Sequence, residues 1–503
     1  MIGATRVDVL VVGAGFAGIG TAIRLARQGV RSFAVIERSS GVGGTWWDNA
    51  YPGVACDIPS HLYSFSFRLK PDWTRTFAPG AEIRDYLAEC VREEGLAPHI
   101  RLDTEMTEAR WDESAGRWLV ATTRGEFEAR ALVMAAGRLS EPRIPSTPGL
   151  ESFPGPVFHS ARWRDDVELR GKRVGVVGSG ASAVQIVPRV AEQAAEVVLF
   201  QRSAPYVMPR GDRAFGDEEK AALAADPHSL RRLRDGLFWS MEEGFAARAG
   251  APGLEGYRER LRSAALGHLE AAVADPALRA ALTPDYEVGC KRVLLSDDYY
   301  PVLTLPHVSV VPAALESVSG STVRAKDGSE RDVDVLVLAT GFHSTRPPFA
   351  QRVTGRDGLL LADHWSEGMT AYASTTVHGF PGLFVVNGPN ASLGHNSAIA
   401  MIEAQIDYVL AVLDETEACD ADALEPTAEA ERASRDEVDA RAASTVWMLG
   451  GCESWYLDSA AHRLTLVWPD FAHTFRERLS SVDPDAYEPV RASRGDRRGS
   501  LRL

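Results

Sequence analysis

Two segments of this chain have the residue types and spacing that let a backbone close around a pyrophosphate. Gly13-Ala14-Gly15-Phe16-Ala17-Gly18 follows the apolar run 7–12 and precedes an alanine-rich helical pattern over 19–28. In a strand–turn–helix of this kind Gly13 permits the tight turn, Gly15 admits phosphate to the backbone, and Gly18 lets helix and sheet pack closely. The helix N-terminus adds unpaired N–H groups. A second apolar run, 32–36, ends at Glu37, 19 residues beyond Gly18. A carboxylate at that place accepts ribose hydroxyls and repels a 2′-phosphate, so this site suits FAD or NAD and not NADP.

The pattern recurs. Residues 173–177 lead into Gly178-Ser179-Gly180-Ala181-Ser182-Ala183, a helix follows to 191, and a strand over 196–200 ends at Gln201-Arg202-Ser203. Here the position of the acid is taken by Arg202, 19 residues beyond Ala183. A guanidinium there meets the 2′-phosphate of NADPH. The contrast between Glu37 and Arg202 assigns FAD to the first site and NADPH to the second. Such a pair has a chemical logic, because one cofactor delivers hydride and the other accepts it and passes electrons onward.

The elements that must hold these sites form an α/β chain: two Rossmann-like dinucleotide-binding domains, the second with a helical insertion. Residues 1–140 read as the first part of the FAD domain. Arg130 to Gly137 and Asp332 to Gly341 are strands of matching form, each the return strand of its nucleotide unit. A Pro- and Gly-rich linker covers 141–160, and the NADPH domain covers 161–340. Within it, residues 214–285 lose strand signals and gain Ala, Leu, Arg and Glu, which predicts helices that cap a substrate cavity. Residues 341–490 return to the FAD domain. Asn396 or Ser397 caps a helix to about 413 that buries Ile399, Ile402, Ile406, Val409 and Leu410. The stretch 415–443 reads as exposed helix or linker, and 491–503 as a poorly ordered tail.

Bulk properties narrow the function. The chain has 503 residues, 45% hydrophobic, with a formal net charge of −15. That balance argues against a nucleic-acid binder. Five cysteines, Cys56, Cys90, Cys290, Cys419 and Cys452, make no CxxC pair. They read as reduced thiols and predict neither a disulfide framework nor a metal site. No leader or membrane span is apparent, so a cytoplasmic enzyme is expected, and a monomer in the absence of heptads.

At this point the chain resembles the type I Baeyer-Villiger monooxygenases, flavin-containing monooxygenases of class B, over roughly residues 5–480. The FAD fingerprint is followed by Gly43-Gly44-Thr45-Trp46, Tyr51-Pro52-Gly53 and Cys56-Asp57. Between the nucleotide motifs stands Phe153-x-Gly155-x-x-x-His159-x-x-x-Trp163, with Arg164 where Pro or Asp is usual. Gly289-Cys290-Lys291-Arg292 precedes Tyr299-Tyr300, and Ala339-Thr340-Gly341-Phe342 closes the second unit. Gly388-Pro389-Asn390, Gly394-His395-Asn396-Ser397 and Gly451-Cys452-x-Ser454-Trp455-Tyr456 are similar to a branch acting on aryl or aliphatic ketones. Asp48 and Ala50 depart from the family's aromatic residue and Arg before Tyr-Pro-Gly.

The resemblance implies an NADPH-dependent flavoprotein that inserts one atom of O2 beside a ketone carbonyl, through a C4a-peroxyflavin, giving an ester or lactone. It implies Arg292 as the cation beside the reacting oxygens, since a guanidinium stays charged throughout. Asp57 would hold Arg292 in place, and Lys291 would join Arg202 at the 2′-phosphate. Phe16, Gly44, Thr45, Trp46, Asp57 and Tyr63 would lie against FAD. Ser179, Ser182, Ser203, Thr340 and Gly341 would lie against NADPH. His159, Trp163 and Tyr51 would act one layer back, the first two coupling the linker to NADPH handling. Cys290 reads as packing.

Other classes compete. A flavin monooxygenase acting on nitrogen or sulfur would use the same cofactors through a protonated hydroperoxyflavin; Arg292, Asp57 and the His159 signature favour the ketone reading. A pyridine-nucleotide disulfide oxidoreductase needs a redox dithiol such as CxxC, which the sequence lacks. A non-enzymatic nucleotide-binding protein would not need two intact motifs and a charged pocket.

Overall fold

The computed structural model describes residues 4–30, 32–251 and 253–492. All but two residues of the expected tail lie outside that range. Among the described residues the first dinucleotide unit is an eight-stranded sheet. Thr5–Val12 lies at its centre, parallel to Phe33–Ile36 on one side and to Gly125–Met134 on the other. Helix Phe16–Gln28 follows Thr5–Val12 directly. The C-terminal part of the chain completes this sheet: Leu383–Val385 pairs in parallel with Gly125–Met134, and Val353–Thr354 with Met106–Asp112. Both faces are covered, and the central strands are accordingly apolar on both sides.

The second unit is a parallel five-stranded sheet in the order Val308–Val311, Glu196–Phe200, Arg173–Val177, Val335–Leu338, Val157–His159. Its edge corrects one expectation. Residues 157–159 are not linker but a strand, with His159 in register with Leu338. Three residues are too short a run to stand out by alternation, and the partner strand makes them one.

Gly13 and Gly178 hold the same place in the two units. Their φ values are 108° and 114°, and a Cβ on either would lie 2.5 Å from the Ala135 carbonyl oxygen or 2.3 Å from that of Ala339. Only glycine lets each return strand approach its turn so closely. At the third small position the units differ. A Cβ on Gly18 would fall 1.8 Å from the Gly13 oxygen, whereas Ala183 carries its methyl in a closed core.

The insertion is helical, with Asp217–Ala225, Pro227–Glu242, Tyr257–Ala272 and Pro276–Ala281. Asp226 caps the second helix through the N–H groups of His228 and Ser229, ahead of a proline in its first turn. The expected role as a cap over the cavity is not what these helices do: among the described residues of 206–285 none lines the main cavity. Phe238, Leu237 and Met241 pack on the first unit's core, while Leu269, Val273 and Leu282 join the second's.

Helix Ala398–Ala418 is capped by Ser397, which accepts from the Ile399 N–H, and it runs five residues past the expected end. The five apolar residues assigned to its inner side are all buried. The stretch 415–443 is more integrated than its charge suggests. Ala423–Pro426 pairs with Tyr487–Val490, and helix Ala428–Ala442 buries Glu431, Ser434 and Val438. Glu431 accepts from His378 N and His364 Nε2, partners distant in sequence that make its burial tolerable. The cysteine reading is also corrected. Cys290 and Cys452 form a disulfide across 162 residues, while Cys56, Cys90 and Cys419 are free. A pair so far apart leaves no local spacing to read.

Candidate functional site

A cavity of about 1720 Å³ runs between the two sheets and is lined by both nucleotide turns. At its first end Glu37, 7% exposed, stands at the tip of its strand. Its Oε2 accepts from Ala14 N at 2.7 Å and its Oε1 from Ser39 N at 2.8 Å. A carboxylate has about four acceptor positions, so lone pairs remain for ribose hydroxyls. Gly15 meets Gly44 backbone to backbone: a Cβ on Gly44 would lie 2.9 Å from the Gly15 Cα. That contact seats the short helix Thr45–Asp48 beside the turn. Phe16, Trp46 and Tyr63 then meet edge to face, at 5.2 Å and 5.6 Å between centroids.

At the other end Gly178, Ser179, Gly180, Ala181 and Ser182 form the second turn and line the cavity. Ser179 Oγ donates to the Ser203 carbonyl at 2.6 Å, and Lys291 Nζ donates to Ser203 Oγ at 2.8 Å. Burial, with the neighbouring Arg202 charge, pulls the Lys291 ammonium below its ordinary range. Arg202 is largely exposed and pairs with Glu453 at 3.2 Å. Thr340 Oγ1 donates to the Arg143 carbonyl at 2.6 Å, and Gly341 turns with φ 81°.

Between the two ends Arg292 and Asp57 meet, Nε to Oδ2 at 2.5 Å. They come from different units, and both line the cavity. Burial pushes the Asp57 carboxyl up, but the charge and hydrogen bond of Arg292 outweigh it and hold the group below the usual carboxylate range. Burial likewise disfavours the Arg292 cation, and Asp57 more than compensates, so that guanidinium stays charged.

The outer layer is ordered around this pair. Tyr51 donates to Gln185 Oε1 at 2.9 Å, joining the first unit's loop to the second unit's helix. Burial pushes its phenol up to about 12. His159 accepts from Ala161 N through Nδ1 and packs edge to face on Phe342 at 5.4 Å. Burial, against a smaller pull from the Gly341 backbone, takes its imidazole down to about 4, so it is neutral near pH 7. Trp163 packs edge to face on Phe158. Asp48, where the chain departs from the family motif, bridges Arg38 at 3.5 Å and Arg162 at 3.8 Å.

Sequence reasoning missed Arg138, which lines the cavity with Arg292. Its signal was the repeat itself: Arg138 follows Ala135-Ala136-Gly137 as Phe342 follows Ala339-Thr340-Gly341. Leu393, Asn396 and Trp455 also reach the cavity; the sequence marks Asn396 as a helix-cap candidate and, with Trp455, by family likeness, and gives no signal at Leu393.

Two cradles of opposite preference, joined by an ion pair, are the frame of a two-dinucleotide enzyme. Comparison with known proteins then decides the family. A Baeyer-Villiger monooxygenase of Streptomyces coelicolor is 47% identical over 488 residues, covering 97% of this chain and 93% of that protein. This chain belongs to the Baeyer-Villiger monooxygenases. Such an enzyme is a flavoprotein monooxygenase using FAD and NADPH. The model of the pyridine nucleotide-disulphide oxidoreductase family matches residues 10–212, the shared dinucleotide-binding part. A solved steroid monooxygenase bound to NADP has a TM-score of 0.84 at 31% identity, covering 97% of this chain and all of that one. The solved OTEMO complex with FAD and NADP has a TM-score of 0.85 at 26% identity, with the same coverage. The residues of both cradles fit these groups: glycine turns that line the cavity, an acid at Glu37 with acceptor positions to spare, and cations at Arg202 and Lys291. Among the described residues no helix is long and apolar enough to cross a membrane.

Proposed function

We propose that this monooxygenase inserts one oxygen atom of O2 beside a ketone carbonyl with Arg292 and Asp57 as its working pair. NADPH, a proton, O2 and a ketone are consumed; NADP+, water and an ester or lactone are formed. When bound, the two cofactors supply the electrons that activate O2 for insertion. The observation that carries the reading is the Arg292–Asp57 ion pair, formed across the two units in the cavity that both cradles line.

Attack on a carbonyl builds negative charge on oxygen, and a fixed cation at that place lowers the barrier without reorganising. Arg292 is that cation. Asp57 fixes its direction through Nε and leaves the other guanidinium nitrogens to face the cavity. Glu37 and the Gly13–Gly18 turn bind FAD, with Phe16, Gly44, Thr45, Trp46 and Tyr63 closing around it. Arg202, Ser203 and Lys291 take the 2′-phosphate of NADPH, and Gly178 to Ser182 with Thr340 and Gly341 take its pyrophosphate side. His159 and Trp163 brace this side through Phe342 and Phe158. The domain boundaries belong to the same reading, with residues 157–159 moved into the second unit.

Oxidation of ketones under 18O2 tests the activity. One labelled atom per ester, with one NADPH consumed, is the expected result. Label in a sulfoxide or N-oxide and none in any ester would favour the nitrogen- and sulfur-oxidising alternative. A monomer completes the reading, supported by the lack of a heptad pattern and tested by light scattering; the Cys290–Cys452 disulfide weighs against the reducing cytoplasm first expected, and cell fractionation decides the compartment.

A further inference from the structure

Arg138 is a cation without a counter-ion in the reaction chamber. It follows the turn at Gly137 and is held from several sides. Its carbonyl accepts from Ser344 Oγ at 2.9 Å, and its Nη1 donates to Asn387 Oδ1. Asn387, in the left-handed region at φ 59°, donates its N–H to Gln405 Oε1 at 2.8 Å. Gln405 is fully buried in helix Ala398–Ala418. The Arg138 Nε is buried and has no partner. Among the described residues no carboxylate lies within ion-pair distance of it, unlike Arg292, Arg38 and Arg202.

Burial draws the Arg138 guanidinium down to about 10, eased by the Tyr456 and Tyr63 hydroxyls and worsened by Arg292. It therefore remains charged at neutral pH. A half-buried guanidinium whose only side-chain acceptor among the described residues is the neutral Asn387 amide is costly unless an anion completes it. The cofactors have their own partners. The Gly13 turn and Glu37 serve FAD, and the Gly178 turn, Arg202 and Lys291 serve NADPH. The charged and phenolic neighbours of Arg138 are Tyr63, Tyr456 and Arg292, which place it at the reacting end of the cavity.

Resting on the ketone reading above, we propose that Arg138 is a substrate-anchoring residue that receives a carboxylate, making this enzyme selective for ketones bearing a remote acid group. Arg292 then serves the carbonyl and Arg138 the acid. A planar guanidinium suits a carboxylate better than a lysine ammonium does.

The test pairs methyl-ketone acids, from 4-oxopentanoate to 8-oxononanoate, with their methyl esters. FAD-loaded wild type, Arg138→Gln and Arg138→Lys are compared. One readout is kcat/KM; the other is the dissociation constant, from the flavin absorbance change under anaerobic conditions. For at least one chain length the wild type should prefer acid over ester by at least about tenfold in both, as one charge-assisted contact allows. The preference should fall to about twofold or less in Arg138→Gln and recover partly in Arg138→Lys. Ester turnover by the wild type without any acid preference overturns the proposal, as does a preference that survives Arg138→Gln. Equal loss of acid and ester, with a shifted flavin potential, also overturns it and assigns Arg138 to the flavin. If nothing is oxygenated but acid-selective binding is lost in Arg138→Gln, the anchor stands and the ketone reading fails instead.

Discussion

Arg292 and Asp57 meet across the seam between two dinucleotide units, 235 residues apart in sequence and 2.5 Å apart in space. Neither unit alone can build the pair, so the proposed reacting centre needs both units in place.

Removing Arg292 should cost oxygenation and spare the earlier step. Arg292→Ala is expected to lower ester formation by about 10² to 10³, the range for losing one oxyanion-stabilising donor. NADPH should still reduce the flavin, as stopped-flow absorbance would show. In a double-mutant cycle Arg292→Ala and Asp57→Ala should couple by about 0.5 to 3 kcal/mol in kcat/KM. Strict additivity would separate the pair.

The cations at the second cradle should sort the two nicotinamide cofactors. Arg202→Ala and Lys291→Ala are each expected to raise KM for NADPH by about 10- to 100-fold, the worth of one hydrogen bond to a charged group. NADH, which lacks the 2′-phosphate, should be affected far less. Similar losses for both would remove the phosphate role.

Glu242 should be a stability residue with an acid limb. Burial alone would raise its carboxyl, but donors from His395, His473, Asn396 and the Ala472 and His473 backbone hold it at about 2. The folded value lies below the ordinary 4.5, so its contribution is complete above pH 4.5 and is lost as pH falls toward 2. His395 acts on this carboxylate both through its hydrogen bond and through its charge, the hydrogen bond being the larger. Glu242→Gln should destabilise by roughly 1.5 to 3 kcal/mol near neutral pH. The gap in melting temperature should narrow at pH 3.

The disulfide can be counted directly. Of the five cysteines, three are free, so denatured, unreduced protein should titrate three thiols and reduced protein five. Five before reduction would show the pair open. Since the link spans 162 residues, Cys452→Ser should destabilise by up to about 4 to 5 kcal/mol on the chain-entropy estimate. It should also loosen NADPH binding, because Cys290 adjoins Lys291 and Cys452 adjoins Glu453.

Much of the fold and of the site is legible in the sequence. The strand–glycine–helix order places both turns, because that signal is local, while the assignment of each cofactor by Glu37 and Arg202 stays a proposal. The family motifs name Arg292 and Asp57 but cannot give their contact. What escapes depends on distant partners. His159 lies on a strand only because Leu338 is beside it, and Glu431 is buried only because His364 and His378 reach it. Arg138 is one charged residue after a glycine, and only the folded cavity makes its lack of a carboxylate visible.

The helical insertion carries a mechanical consequence. Its first half is fastened to the first unit: Arg234 donates to the Leu62 and Ser64 carbonyls, and Glu242 accepts from Asn396 and His473. Its second half belongs to the second unit's core through Leu269, Val273 and Leu282. It is therefore fastened to two bodies, and the segment joining its halves is itself packed: Phe245, Ala247 and Arg248 are buried, and Arg248 donates to the Gly394 carbonyl. Any rocking of one sheet against the other would have to strain these contacts, so the insertion acts as a brace across the two units.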